Sequence, residues 1–164
     1  MQKAPINENE QERQKAVEKL GVLDTAPDSR FDAFTKLAAK LFNAKISTIS
    51  IIDNDREWFK SRYGTKAIGG PRDVSFCGHA LYSDSVMIVE DALQSDVFRD
   101  NPYVSSDPFV RFYAGVVLRE KKTNLPVGVL CVKDDKPRKF GVSEVARLID
   151  LGQKVEEELN KSIK

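Results

Sequence analysis

The fold class is decided by the stretch ISTISIIDNDREWFKSRY, residues 46–63. Its first half is rich in β-branched residues and has apolar residues at both parities, which predicts a strand covered on both faces. Asp53-Asn54-Asp55 is a turn signal, and residues 56–63 alternate like the returning strand of a hairpin. Because the turn is short, we expect the two strands to pair antiparallel.

Further elements follow outward from this hairpin. Apolar spacing predicts helices near both ends of the chain and a second hairpin after its middle. The predicted strands are 86–89, 112–119 and 126–133. The predicted helices are 10–20, a segment from Pro27 to Asn43, 75–82 with Ser75 as N-cap, and 143–159 with Ser143 as N-cap. Residues 64–73 and 91–111 are predicted to be loops. Two hairpins flanked by helices indicate an α+β fold, with terminal helices on one face of an antiparallel sheet and the central loops on the other.

Composition excludes several classes of protein. The chain has 164 residues, 41% of them apolar, and a formal net charge of +1, which favours one domain and argues against a nucleic-acid binder that relies on a cationic field. No apolar run approaches the roughly 20 residues that span a membrane. The polar N-terminus does not resemble a secretory signal, and two cysteines suggest reduced thiols in the cytoplasm.

The most reactive side chains lie in the segment Ser75-Phe76-Cys77-Gly78-His79-Ala80-Leu81, which holds the one histidine of the chain. Imidazole and thiol groups titrate nearest neutral pH, so ligand contact is expected here. Cys77 and His79 make a poor catalytic dyad, because i,i+2 neighbours on a helix do not face each other. The chain has too few cysteines and histidines for a zinc site, so no metal ligand and no catalytic residue is predicted. Cys131, in an apolar run, is expected to be a buried free thiol rather than a disulfide partner.

The chain resembles the GAF domain family, in the bacterial subgroup joined to histidine kinases and diguanylate cyclases. The resemblance covers most of the sequence. It is carried by residues 13–27, Phe31-Asp32, Ile51-Ile52-Asp53, 55–61, 75–80, Asp91-Ala92, Asn101-Pro102, 111–115 and 130–134. It implies an antiparallel sheet of five or six strands, a pocket on one face and helices on the other. A single domain over 1–164 is expected, with a core at about 22–140 and terminal helices at about 9–20 and 143–162.

The implied pocket defines the candidate ligand-binding residues. They are Trp58, Phe76, Cys77, His79, Asp91, Arg111, Tyr113 and Cys131. A mostly apolar cavity with a few polar groups is the usual design for a small ligand. Alternatives stand beside these roles: His79 as a structural residue that caps a loop, the aromatic residues as core, and Asp91 with Arg111 as an internal ion pair. The last alternative is favoured over a ligand-binding arginine.

The resemblance implies a non-catalytic sensory module that binds an unidentified small molecule and signals through its terminal helices. A lid over residues 91–111 would order on binding and alter helix packing. The helices could form a homodimer, and a signalling protein could be a further partner; the cofactor is unspecified. The chain is expected to be either a stand-alone adaptor or a piece of a longer protein. Two rivals remain: a cysteine-dependent redox enzyme of the free methionine sulfoxide reductase type, and an interaction domain without a ligand.

Overall fold

The structure is a computed structural model that describes residues 1–161. Within that range the helices are α1 (Glu10–Lys19), α2 (Ser29–Leu41), α3 (Phe76–Ala80), α4 (Pro102–Ser105) and α5 (Val142–Lys161). The strands are β1 (Ile46–Asp53), β2 (Arg56–Tyr63), β3 (Gly69–Pro71), β4 (Val86–Val89), β5 (Phe112–Arg119) and β6 (Pro126–Asp134). Position 162, the last of the predicted terminal helix, lies outside the described residues.

The strands form one antiparallel sheet in the order β3-β2-β1-β6-β5-β4. This confirms the predicted α+β class and the antiparallel hairpin at residues 46–63. Strand β3 was expected to be loop; its two glycines lie beside Glu57 and Trp58 of β2, where they extend the sheet edge. A bulge in β2 leaves Lys60 unpaired opposite the step from Ile49 to Ser50 of β1, so that Lys60 and Ser61 both point towards the helices.

Each face of the sheet buries its own core. Ile49 and Ile51 of β1 pack with α1, α2 and α5 on what we call the helix face. Ile52 packs with the roof on the opposite face, which we call the loop face. The roof consists of residues 64–82 and 91–111. Because successive strand residues point to opposite faces, the two-sided apolar pattern of β1 is the direct cause of this three-layer arrangement.

Two helix starts differ from the sequence-based expectation. Helix α2 begins at Ser29 rather than at Pro27, because the Asp28 carboxylate caps it by accepting a hydrogen bond from the Arg30 N–H. Helix α5 begins at Val142, so Ser143 lies inside it, and the Glu144 carboxylate accepts from the Gly141 N–H instead. Ser75 caps α3 as predicted, accepting from the Gly78 N–H at 2.9 Å.

The first nine residues run along the roof before the chain crosses to α1 on the helix face. The Ala4 N–H donates to the Asp73 carbonyl, and the N-terminal ammonium lies 2.6 Å from an Asp100 carboxylate oxygen. Glu10 then accepts from the Nε of Arg13 at 2.9 Å and from Arg72 at 2.6 Å. Arg13 and Arg72 are both buried, so this network joins α1 to the roof in a partly dehydrated setting.

Of the helices in residues 1–161, none combines the length and apolarity that a bilayer crossing requires.

Replacement of Gly152 by alanine should destabilise the fold. An added Cβ would lie 2.6 Å from a Val116 methyl carbon, because α5 crosses β5 closely at this point. Overpacking costs about 1–3 kcal/mol and outweighs the helix-propensity gain of about 1 kcal/mol. In urea unfolding, Gly152→Ala should therefore lower the free energy of unfolding. The same substitution in a Val116→Ala background should raise it. Equal costs in both backgrounds would contradict the close approach.

The Glu10 network predicts a pH-dependent contribution to stability. Burial raises the pKa of Glu10, but hydrogen bonds from Arg13 and Arg72 outweigh it and lower that pKa to about 2. A depressed carboxyl pKa stabilises the native state above the unfolded value near 4.5, and this contribution is lost as pH falls through about 2. Glu10→Gln should cost on the order of 1–2 kcal/mol at neutral pH, reduced by partial exposure, and progressively less below pH 4.5.

Glu12→Gln is the matched control, since Glu12 shares the first turn of α1 and is exposed. It removes the same helix-dipole interaction without touching the arginines. If the two variants show the same pH profile in urea unfolding, the network contributes nothing specific.

Candidate functional site

The central part of the loop face is filled by side chains. Phe76 of α3 stacks on Phe98 with ring centroids 4.2 Å apart, and it also contacts the Tyr113 ring at 5.3 Å. All three residues are buried. The aromatic residues here therefore form core, which was the alternative to a ligand cage.

A thiol cluster lies beneath this aromatic layer. The Tyr113 hydroxyl donates to the Cys77 sulfur at 3.1 Å, and Thr48 Oγ1 lies 3.1 Å from the Cys131 sulfur. Tyr113 lies flat across Gly115, where any side chain would collide with its hydroxyl. Both cysteines are free and fully buried.

The pKa values of the two thiols are shifted in opposite directions. Burial raises the pKa of Cys77 well above its ordinary value. Burial also acts to raise the pKa of Cys131, but the hydrogen bond from Cys77, the charge of Lys133 and the Thr48 hydroxyl outweigh it and lower that pKa to about 7. Of the two buried thiols, Cys131 is therefore the one whose surroundings favour the deprotonated form.

A cavity of about 100 Å³ lies beside the filled region, between β1, β2 and β6 below and the roof above. Its lining is Ile46, Thr48, Glu57, Phe59, Thr65, Ala67, Gly69, Tyr103, Pro108, Val110 and Lys133. Most of the exposed lining is apolar, with two oppositely charged side chains among it. An apolar pocket with a few convergent polar groups is typical of small-molecule sites.

The two charged residues of the cavity are buried but do not pair directly. Glu57 is 3% exposed and Lys133 is 9% exposed. Glu57 Oε2 has no hydrogen-bond partner within residues 1–161, and no ion pair within 4.0 Å joins the two side chains. Buried polar groups are normally satisfied, so this carboxylate is a candidate ligand contact.

Electrostatics keep the Lys133 side chain charged. Burial acts to lower the pKa of Lys133, but the negative groups of Cys131 and Glu57 outweigh burial, and the net direction is upward. Burial and the Glu57 charge raise the pKa of Tyr103, whose hydroxyl lies over Gly70 at the cavity edge. The cavity thus presents an ammonium, a carboxylate and a neutral phenol.

The structure separates the predicted site residues into four groups, none of which lines the cavity. Phe76, Cys77, Tyr113 and Cys131 form the aromatic and thiol layers on the loop face. His79 is half-buried against the Phe98 ring, and its Nε2 lies 3.2 Å from the Gln2 carbonyl, where burial lowers its pKa. This contact fits the structural alternative for His79. The ligand roles of these residues stay predictions.

Asp91 and Arg111 clamp the two ends of the roof segment 91–111. Arg111 donates from Nε and from a terminal nitrogen to the two carboxylate oxygens of Asp91, at 2.9 and 3.0 Å. This hydrogen-bonded arginine lowers the pKa of Asp91. The pair is the internal ion pair that the sequence favoured, and it closes the segment as a compact loop.

Trp58 does not converge with the other predicted site residues, because it lies on the opposite face of the sheet. It pairs with Ile51 in register and packs on the helix face, where it lines an open surface groove with Asp24 and Lys60. Its neighbour Glu57 points to the loop face instead, since adjacent strand residues face opposite sides.

Sequence reasoning missed Glu57, Lys133 and Tyr103. Adjacent residues of a strand face opposite sides of the sheet, so Glu57 and Trp58 cannot both lie on the loop face. The prediction that Trp58 lines the pocket therefore excluded Glu57. Lys133 directly follows the apolar run 127–132, and a charged residue next to such a run can mark a buried polar site. Tyr103 gave no local signal, because only the folding of the roof brings it to the cavity.

Over residues 1–161, no three cysteine, histidine or acidic side chains are grouped so that they could hold a metal ion.

The profile of the GAF domain family matches residues 26–159. A cyclic di-GMP phosphodiesterase of Pseudomonas aeruginosa is 40% identical over 134 residues, which cover 82% of this chain but only 23% of that protein. The present chain therefore spans about a quarter of the curated relative that it matches.

Solved structures share the fold at low sequence identity. The GAF domain of the Acinetobacter phosphoenolpyruvate-protein phosphotransferase superposes with a TM-score of 0.66 at 14% identity and covers 96% of each chain. A type II free methionine-R-sulfoxide reductase from Thermoplasma acidophilum gives 0.66 at 12% identity, covering 82% of this chain and 93% of the other. At such identities, the likeness establishes the architecture alone.

The charged pair predicts an unusual stability pattern. Lys133→Met should destabilise by about 1–3 kcal/mol, because it removes an opposite charge that lies near the buried Glu57 carboxylate without contacting it. The double variant Glu57→Met with Lys133→Met should equal or exceed the wild type in stability, since apolar residues often replace buried charges without loss. Urea unfolding of both variants checks this. A double variant less stable than Lys133→Met would show that the charges serve the fold rather than a site.

Proposed function

The chain belongs to the GAF domain family, and we propose that it acts within this family as a sensory module that binds a small molecule under its roof. The observation that carries this proposal is the cavity of about 100 Å³ with an unpartnered, buried Glu57 carboxylate. Such a group costs stability and persists where binding requires it. A non-catalytic role fits the thiols, because both are fully buried and neither lines the cavity.

The curated relative supports a signalling context. Because that protein is named as a cyclic di-GMP phosphodiesterase, we propose that this module regulates the turnover of a cyclic dinucleotide. In this proposal a neighbouring enzymatic unit is the signalling partner, and the module supplies regulation rather than the phosphodiester chemistry.

A chain of contacts links the cavity to α1. Tyr103 and Val110 of the roof line the cavity, and the side-chain amide of Asn101 donates to the Val74 carbonyl at 2.9 Å. Val74 ends the short turn that begins at Arg72, and Arg72 bonds Glu10 of α1. We propose that occupancy shifts the population of roof conformers and that α1 responds through Arg72.

We also propose a homodimer that forms through helices, with α2 rather than α1 as the contact surface. The apolar residues of α1, Ala16 and Val17, are buried in the chain's own core and are unavailable to a second copy. Leu37 and Leu41 of α2 are instead 49% and 41% exposed on the helix layer. These two leucines are where a partner helix would find apolar surface.

Blocking the cavity should remove a bound molecule. Ala67 lines the cavity and is exposed, so Ala67→Trp can fill the space without disturbing the core. Native mass spectrometry of protein purified from its own host should show a retained small molecule in the wild type and its loss in Ala67→Trp. Lys66→Trp, at the exposed neighbouring position outside the lining, is the matched control and should retain it.

Two results would count against the sensory role. A wild-type protein without a bound molecule, whose α1 amide exchange is the same as in Ala67→Trp, would favour the ligand-free interaction domain. Turnover of methionine sulfoxide that Cys77→Ser abolishes would favour the redox enzyme.

A further inference from the structure

The cavity has opposite charges at its two ends. Glu57 of β2 lies level with Ile52 of β1, whereas Lys133 of β6 lies level with Ile46 at the other end of β1. The two residues come from strands that flank β1 on opposite sides. They therefore reach the cavity from opposite directions, along the loop face of one strand.

Neither charged group makes a direct ion pair, although the Cys131 thiol adds negative charge near Lys133. Within residues 1–161 no carboxylate lies within 4.0 Å of the Lys133 ammonium, although the roof and sheet bury its side chain. Within the same residues, the Glu57 carboxylate also has no ion-pair partner, and its Oε2 atom has no hydrogen-bond partner. A ligand that carries only one charge would satisfy one of the two groups and leave the other buried against it.

The volume limits the size of the ligand. A cavity of about 150 Å³ accommodates benzene, which has six non-hydrogen atoms. A space of about 100 Å³ can therefore hold a molecule of about that atom count or fewer when the roof adjusts slightly. A nucleotide, a haem or a bilin would require the roof segments to move apart.

Building on the proposed function, we propose that the cavity binds a compact zwitterion, with its cationic group on Glu57 and its carboxylate on Lys133. Small amino acids are the simplest members of this class. The Tyr103 hydroxyl lies over Gly70, which pairs with Glu57, so it can accept a hydrogen bond from the cationic group of the ligand. Charge-assisted hydrogen bonds at both ends fix one orientation of the ligand.

Three molecules of matched size test the charge requirement. Alanine carries both charges, propionate lacks the ammonium group and ethylammonium lacks the carboxylate. Calorimetric titration of the full chain should show alanine binding at least about tenfold more tightly than either single-charge analogue, since each missing contact is a charge-assisted hydrogen bond. Equal affinity for alanine and propionate would overturn the proposal without any mutation.

Variants assign each end of the ligand. Glu57→Gln keeps the shape of the side chain but removes the carboxylate charge. The affinities of this variant for alanine and for propionate should therefore be about equal. Lys133→Met should weaken alanine and propionate but not ethylammonium. Glu12→Gln and Lys154→Met, at exposed positions on α1 and α5, are charge-matched controls and should change none of the three affinities.

The outcomes separate this inference from the proposed function. If the native protein retains a molecule that is not zwitterionic and Ala67→Trp releases it, the ligand class is wrong and the sensory role stands. If no analogue binds and no molecule is retained, both proposals fail. If alanine binds equally to the wild type and to Ala67→Trp, binding occurs outside the cavity and the inference fails.

Discussion

The fold depends on the pairing of β1 with β2 on one side and with β6 on the other. This central strand has no solvent-facing side: Ile49 and Ile51 pack under the helices, and Thr48, Ser50 and Ile52 are buried under the roof. A slip of one residue would exchange the two sets and place hydroxyls in the helix-face core. The register of β1 therefore determines both the stability of the sheet and the composition of the site floor.

The loop face shows how one layer can be both core and site. Its centre is solid, with stacked aromatic rings over a hydrogen-bonded thiol cluster, while the adjoining region contains two buried charges that do not touch. A core designed only for stability would use apolar residues there. The positive charge of Lys133 also acts on the Cys131 thiol below, so the thiol cluster and the cavity are one electrostatic unit.

Hydrogen bonds connect the roof to α1 directly, without involving the side chains of the sheet. The N-terminal residues lie on the roof, and the Glu10 carboxylate bonds one arginine from α1 and one from the turn beside α3. The architecture shared with a phosphotransferase GAF domain and a sulfoxide reductase does not by itself identify a ligand.

The sequence by itself determined the α+β class, the antiparallel hairpins and the helices at both ends, because these follow from local periodicity and turn chemistry. It also indicated that Asp91 would pair with Arg111. Only the tertiary structure decided that Trp58 lies on the helix face and that Glu57, Lys133 and Tyr103 meet at one cavity. The physical reason is that alternation fixes which residues share a face, whereas the choice of face and the path of the roof depend on packing between distant segments.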